Sequence, residues 1–178
     1  IKSIGMNIVK LLRTVLPPDT YIVADTKTTD ASRLEIEPAA NNGADAVTVL
    51  GLSEDSVIEE ALNVSKSRGV ALMADLIHVN NPIARASRLS DLGVEAVIIH
   101  VGVDVQHRRG ISAKDLLKEV REIASTGLLV AVAGGIKPEE VHTFVESGAR
   151  IVIIGSAITK SSDFVDATKR ALANLKLC

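Results

Sequence analysis

Apolar residues in this chain gather into six short, nearly unbroken runs, at residues 21–24, 46–50, 70–74, 96–99, 128–133 and 151–154. Runs of this length that do not alternate with polar residues predict strands covered on both faces, as in parallel sheets flanked by helices. Between them the apolar positions fall to helical spacing, at residues 31–42, 54–67, 83–92, 113–125 and 139–146, and a last helix is predicted over 164–175. An amphipathic helix precedes the first strand. Ile4, Ile8, Leu11, Leu12 and Val15 recur on one face, and Pro17-Pro18 ends it.

The breaks between the runs repeat as well. Gly43-Ala-Asp-Ala-Val-Thr-Val-Leu-Gly51, Gly93-Val-Glu-Ala-Val-Ile-Ile-His100 and Gly148-Ala-Arg-Ile-Val-Ile-Ile-Gly155 share one pattern: a glycine ends a helix, two residues turn, and a buried strand follows. Ile22-Val-Ala-Asp25, Leu72-Met-Ala-Asp75 and Val132-Ala-Gly134-Gly135 form an interleaved set. Ser112 with Asp115 marks one helix start and Pro138 another, whereas Pro38 is expected to delay or kink the helix it falls in. Strict strand–helix alternation with polar or glycine strand ends predicts an α/β fold, the (β/α)8 TIM barrel. A doubly wound open sheet would carry a glycine-rich nucleotide turn early in the chain, which this sequence lacks. A closed barrel uses eight strands and about 200–250 residues. Six strands in 178 residues therefore read as a single (β/α)-barrel domain over 1–178, N-terminally incomplete and lacking its first two strands. The start on Ile rather than Met agrees with that expectation.

Composition narrows the function classes. A net charge of −2 and three aromatic residues, Tyr21, Phe144 and Phe164, argue against a nucleic-acid surface, which needs a clustered basic face and stacking platforms. No apolar run approaches a membrane span, so no membrane partner is expected. The single cysteine, Cys178, rules out a disulfide within the chain and fits a reducing, cytoplasmic setting.

The chemistry gathers at the predicted strand ends, where barrels of this kind place their functional groups. In Val-Ala-Asp25-Thr-Lys27-Thr-Thr-Asp30, strand alternation points Asp25 and Lys27 the same way. Acids around one ammonium there can hold a cation and steady a negative intermediate. Asp75 and His100 end two further strands, and an imidazole titrating near neutrality suits proton transfer. Gly134-Gly135 and Gly155-Ser156 end the last two, where glycine turns and free N–H groups can cradle a phosphate. His78, His107 and His142 read as loop or helix-surface residues, and Arg108-Arg109 as a solvated loop pair able to reach a phosphate. No histidine pair has metal-ligand spacing, which leaves a hard cation such as Mg2+ on Asp25.

These residues also carry a resemblance. Asp25-x-Lys27-x-x-Asp30 resembles the signature of the orotidine 5′-phosphate decarboxylase suprafamily. The run 43–51, Ala74-Asp75-Leu-Ile77, Ile99-His100-Val-Gly-Val-Asp104-Val-Gln106, Val132-Ala-Gly134-Gly135-Ile-Lys-Pro138 and Ala157-Ile-Thr159 are similar to its 3-hexulose-6-phosphate synthase branch. The resemblance implies a Mg2+-dependent aldolase that joins formaldehyde to ribulose 5-phosphate, or the reverse, through an enediolate. It implies that Asp25 binds the metal, Lys27 stabilises the enediolate, Asp75 contacts substrate hydroxyls and His100 moves the proton at the reacting carbon. Gly134, Gly135 and Gly155, with Ser156, would hold the phosphate. Asp30 would reach the neighbouring subunit's site in a homodimer with shared active sites.

The chain also departs from the family. Ser156 stands where Arg usually grips the phosphate, with Arg108 or Arg109 as candidate replacements. The strands that supply two further acids are not among the six. A sister branch, 3-keto-L-gulonate-6-phosphate decarboxylase, would carry Glu at Asp75 and Arg at Val103. The remaining alternative is a non-catalytic sugar-phosphate-binding or scaffold domain.

Overall fold

The computed structural model describes residues 1 and 3–175; Cys178, which figures in the sequence analysis, lies outside the described residues. Two compact units make up the chain: Ile1–Asp75 with Arg88–Glu95, and Leu76–Ser87 with the residues from Ala96 onward. The first holds α1 (Asn7–Val15), β1 (Val23–Thr28), α2 (Ser32–Asn41), β2 (Ala46–Leu50), α3 (Asp55–Arg68) and β3 (Ala71–Asp75). α4 (Pro82–Asp91) is divided between the two residue ranges. The second holds β4 (Ala96–His100), α5 (Val103–Arg109), α6 (Leu117–Ala124), β5 (Leu129–Ala133), α7 (Val141–Glu146), β6 (Ile151–Ile153), α8 (Ser156–Thr159) and α9 (Phe164–Leu175). Strand and helix alternate through both, as the run pattern predicts, and the fold is α/β of the barrel class.

Within the first unit β1, β2 and β3 are parallel neighbours, with Ala46 opposite Ala71 and Leu50 opposite Asp75. Within the second, β4 pairs with β5 and β5 with β6 in the same sense, His100 facing Ala133. β2, β4 and β5 are buried along almost their whole length. In the first unit Ile36 of α2 and Ile58 of α3 are fully buried together with Val47 and Val49 of β2. In the second, Val120 and Ile123 of α6 and Phe144 of α7 are buried together with Val97 of β4 and Val130 of β5.

The glycine punctuation has the predicted geometry. Gly43, Gly93 and Gly148 all take φ near +95 to +100° (94, 95 and 100°), the left-handed turn that stops a helix three residues before its next strand. Arg13 ties α1 to this turn in the first unit. Its guanidinium donates to the Gly43 and Thr20 carbonyls and to Asp45, while Asp45 also accepts from the Ile22 N–H. Ser112 and Asp115 form the expected capping box.

Several boundaries differ from expectation. β1 starts two residues later than predicted and runs on through Thr28, so Asp25 and Lys27 lie inside the strand. The helices predicted at 113–125 and 139–146 each open with a 3-10 turn, Ala113–Leu116 and Pro138–Glu140. Pro38 sits within α2 without ending it, because the carbonyl it strands belongs to Leu34, on an exposed turn. α5 and α8 were not predicted. Arg108 and Arg109 therefore stand in the last turn of a helix, not in a loop.

Candidate active site

The end of β1 is not a regular strand. Ala24 lies opposite Val47 and Thr28 opposite Val49, so Asp25, Thr26 and Lys27 together face the single residue Thr48. The slack is taken up at Lys27, whose φ of +49° is left-handed. For a residue with a side chain that conformation costs about 1–2 kcal/mol. Such strain persists only where the surroundings over-determine it.

Here the surroundings are a buried threonine and two acids. The Lys27 N–H donates to Thr48 Oγ1 at 2.9 Å, and Thr48 Oγ1 donates to Asp25 Oδ1 at 2.8 Å. Thr26 Oγ1 donates to the Thr48 carbonyl at 2.6 Å. The Lys27 Nζ then donates to Asp75 at 2.6 Å and to both Asp25 oxygens at 2.8 and 2.9 Å. Asp75, the last residue of β3, is fully buried, and the Asp25 side chain is 56% exposed. The ammonium is thus gripped from beneath and from the solvent side. Burial pulls the Lys27 pKa down, but the hydrogen bonds and charges of Asp25 and Asp75 outweigh it and hold it above the ordinary lysine value. Lys27 is a fixed cation at neutral pH.

Two carboxylates against one ammonium leave the cluster net negative. Among the described residues no three His, Cys, Asp or Glu side chains form a metal cage. Mg2+ does not ask for one: it keeps waters and is held by one or two carboxylates plus substrate oxygens. The half-exposed Asp25 is a hard oxygen donor that fits this manner of binding.

The other expected residues fall as follows. Asp30 lies on the exposed turn after β1, where its carboxylate accepts the Ala31 N–H. It lines an open cavity of about 390 Å³ with Ser32, Leu34, Val57 and Glu60. In the second unit His100 is half-buried at the end of β4. Gly134 and Gly135 follow β5, both with positive φ. A Cβ on Gly134 would stand 2.3 Å from the Val101 carbonyl oxygen, so only glycine fits. Gly155 and Ser156 are exposed at the start of α8, with the Gly155 carbonyl accepting from Ile158 and Thr159. His78 is exposed in a loop, His107 lies on α5 and His142 on α7, as read from sequence. Arg108 and Arg109 border an open cavity of about 430 Å³ with Asp104 and Val105. The residue missed altogether is Thr48, visible only as the one polar position in the run 46–50.

A parallel α/β chain of the barrel class with a fixed ammonium clasped between Asp25 and Asp75 has the form of an enzyme of that class, which gathers its functional groups at the strand ends. The family model for orotidine 5′-phosphate decarboxylase / HUMPS matches residues 1–171, and the chain belongs to that family. It is 37% identical over 155 residues to a 3-hexulose-6-phosphate synthase of Staphylococcus epidermidis, covering 87% of this chain and 73% of that protein. It is 34% identical to the bifunctional enzyme Fae/Hps of Methanothrix thermoacetophila, of which it covers 44%. The crystal structure of a 3-hexulose-6-phosphate synthase superposes with a TM-score of 0.91 at 32% identity, over 98% of this chain and 82% of the other. The chain is an enzyme of this lyase kind, as its signature residues imply.

Proposed function

We propose that the protein is a Mg2+-dependent aldolase interconverting D-arabino-hex-3-ulose 6-phosphate with ribulose 5-phosphate and formaldehyde. The observation that carries the reading is the Lys27 ammonium, 2.6 Å from a fully buried Asp75 and 2.8 Å from Asp25, in a chain 37% identical to a 3-hexulose-6-phosphate synthase. In the cleavage direction the C1 hydroxyl loses its proton, the C1–C2 bond breaks to release formaldehyde, and its electrons pass to the C3 carbonyl as an enediolate. Lys27 stands ready as a preorganised positive charge for that oxyanion, and such groups contribute more than any other single effect to barriers of this type. Asp75 holds the ammonium in place, which is the role its burial favours over direct contact with substrate hydroxyls. For His100 we propose proton transfer at the carbon that loses formaldehyde. For the Gly134-Gly135 and Gly155-Ser156 turns we propose the phosphate, with backbone N–H groups in the role of the family's arginine. Asp25 would hold Mg2+ together with substrate oxygens, and the ion, when bound, supplies further positive charge beside the enediolate. Asp30, exposed on its turn, would serve a neighbouring subunit.

The test is formaldehyde release from hexulose 6-phosphate, with Mg2+ and with chelator, by the parent and by Lys27→Ala. The reading predicts Mg2+-dependent release in the parent and a loss of about 10²–10³-fold in the variant. Equal rates in the two proteins contradict it. Phosphosugar binding without turnover in the parent would make the protein a binder. Asp75 and Val103, where the keto-gulonate branch is expected to carry Glu and Arg, favour the aldolase over the decarboxylase.

A further inference from the structure

Nothing in the proposed chemistry requires Thr48, yet it is fully buried in the middle of β2 with its hydroxyl turned to β1. Three residues of β1 lie opposite it, and its hydroxyl and its carbonyl are both spent on them. The hydroxyl accepts from the Lys27 N–H and donates to Asp25, and the carbonyl accepts from Thr26. One atom, Oγ1, thereby fixes the left-handed backbone of Lys27 and the orientation of the Asp25 carboxylate at the same time. We infer that Thr48 is a positioning residue, whose hydroxyl sets the Lys27 backbone and the Asp25 carboxylate so that the ammonium spans Asp25 and Asp75. The inference rests on the aldolase reading for its rate effect but not for its geometry.

A residue that only filled space would be replaced by valine without loss, since valine has the same shape and is also β-branched. A residue that acts through its hydroxyl would be replaced by serine instead. The strained conformation at Lys27 makes the difference large, because without the Thr48 acceptor nothing on β2 holds that N–H and the chain relaxes toward regular strand geometry. Misplacing the ammonium affects the transition state more than substrate binding, so kcat changes and KM does not.

The experiment compares parent, Thr48→Val and Thr48→Ser in two measurements: steady-state kinetics of formaldehyde release and hydrogen exchange of the Lys27 amide. The expected result for Thr48→Val is kcat lowered at least about tenfold with KM within about threefold, and Lys27 amide exchange accelerated at least about tenfold. Thr48→Ser is expected to stay within about threefold of the parent in both. Parental kcat and amide protection in Thr48→Val would overturn the proposal. So would Thr48→Ser as impaired as Thr48→Val, which would assign the effect to the methyl group. Should the parent show no turnover, the aldolase reading falls and amide exchange alone decides the matter. If Thr48→Val does not fold, loss of Lys27 amide protection in Thr48→Ser overturns the proposal, and its retention supports it.

Discussion

Lys27 is bound to its place by backbone and side chain together. Its N–H is held by Thr48 and its Nζ by Asp25 and Asp75, while φ stays at +49°. Because its folded pKa lies above the ordinary value of 10.5, the stability that this cluster adds is fully present below that pH. It is lost as pH rises through the folded pKa. The free energy of unfolding of the parent minus that of Lys27→Met should therefore be constant from about pH 7 to about pH 10 and shrink above it. Denaturant titrations across that range check this, and a difference that holds steady or grows in alkali would contradict it. The Asp25–Lys27 pair was legible in the sequence from strand alternation alone, although the structure reaches it through an irregular turn of β1. Thr48 was not legible, because a β-branched residue in an apolar run is what any strand would carry.

Strands and glycine turns were the most readable elements. In β2, β3, β4 and β5 continuous burial writes itself as continuous apolarity, whereas β1 alternates between exposed and buried positions and β6 is half exposed despite their apolar runs; each helix-ending glycine has a left-handed φ behind it. α5 escaped notice for the opposite reason. Its seven residues include none that is buried, so no apolar stripe marks it. α8 has only four residues and is equally silent. At this scale the two glycine turns separate sharply. Gly134 has φ +112° and lies against the Val101 backbone, whereas Gly155 has ordinary φ and open space around it. Gly134→Ala should lower stability by about 1–3 kcal/mol for the backbone conformation alone. Gly155→Ala should stay within about 0.5 kcal/mol of the parent. Equal melting temperatures for the two variants would remove the structural reason for glycine at 134.

At the scale of the whole molecule, one short motif, Asp25-x-Lys27-x-x-Asp30, specified the family, and the family model agrees over residues 1–171. The sequence could not show how Asp30 works, since its carboxylate turns to the Ala31 N–H on an exposed turn. If Asp30 completes a neighbouring subunit's site, the two defects are complementary. Lys27→Ala and Asp30→Ala, each inactive alone, should recover about a quarter of parental activity when mixed and allowed to exchange subunits, because half the dimers are mixed and each carries one intact site. A mixture no more active than its components would place Asp30 outside any shared site.

In the proposed mechanism the ammonium between Asp25 and Asp75 stabilises an enediolate. Exchange of the C1 proton of ribulose 5-phosphate with solvent deuterium, followed by NMR without formaldehyde, reads that intermediate directly. Exchange is expected to be catalysed by the parent and slowed about 10²–10³-fold in Lys27→Ala. Exchange by Lys27→Ala at the parental rate, or none by a parent that releases formaldehyde from the hexulose phosphate, would contradict it.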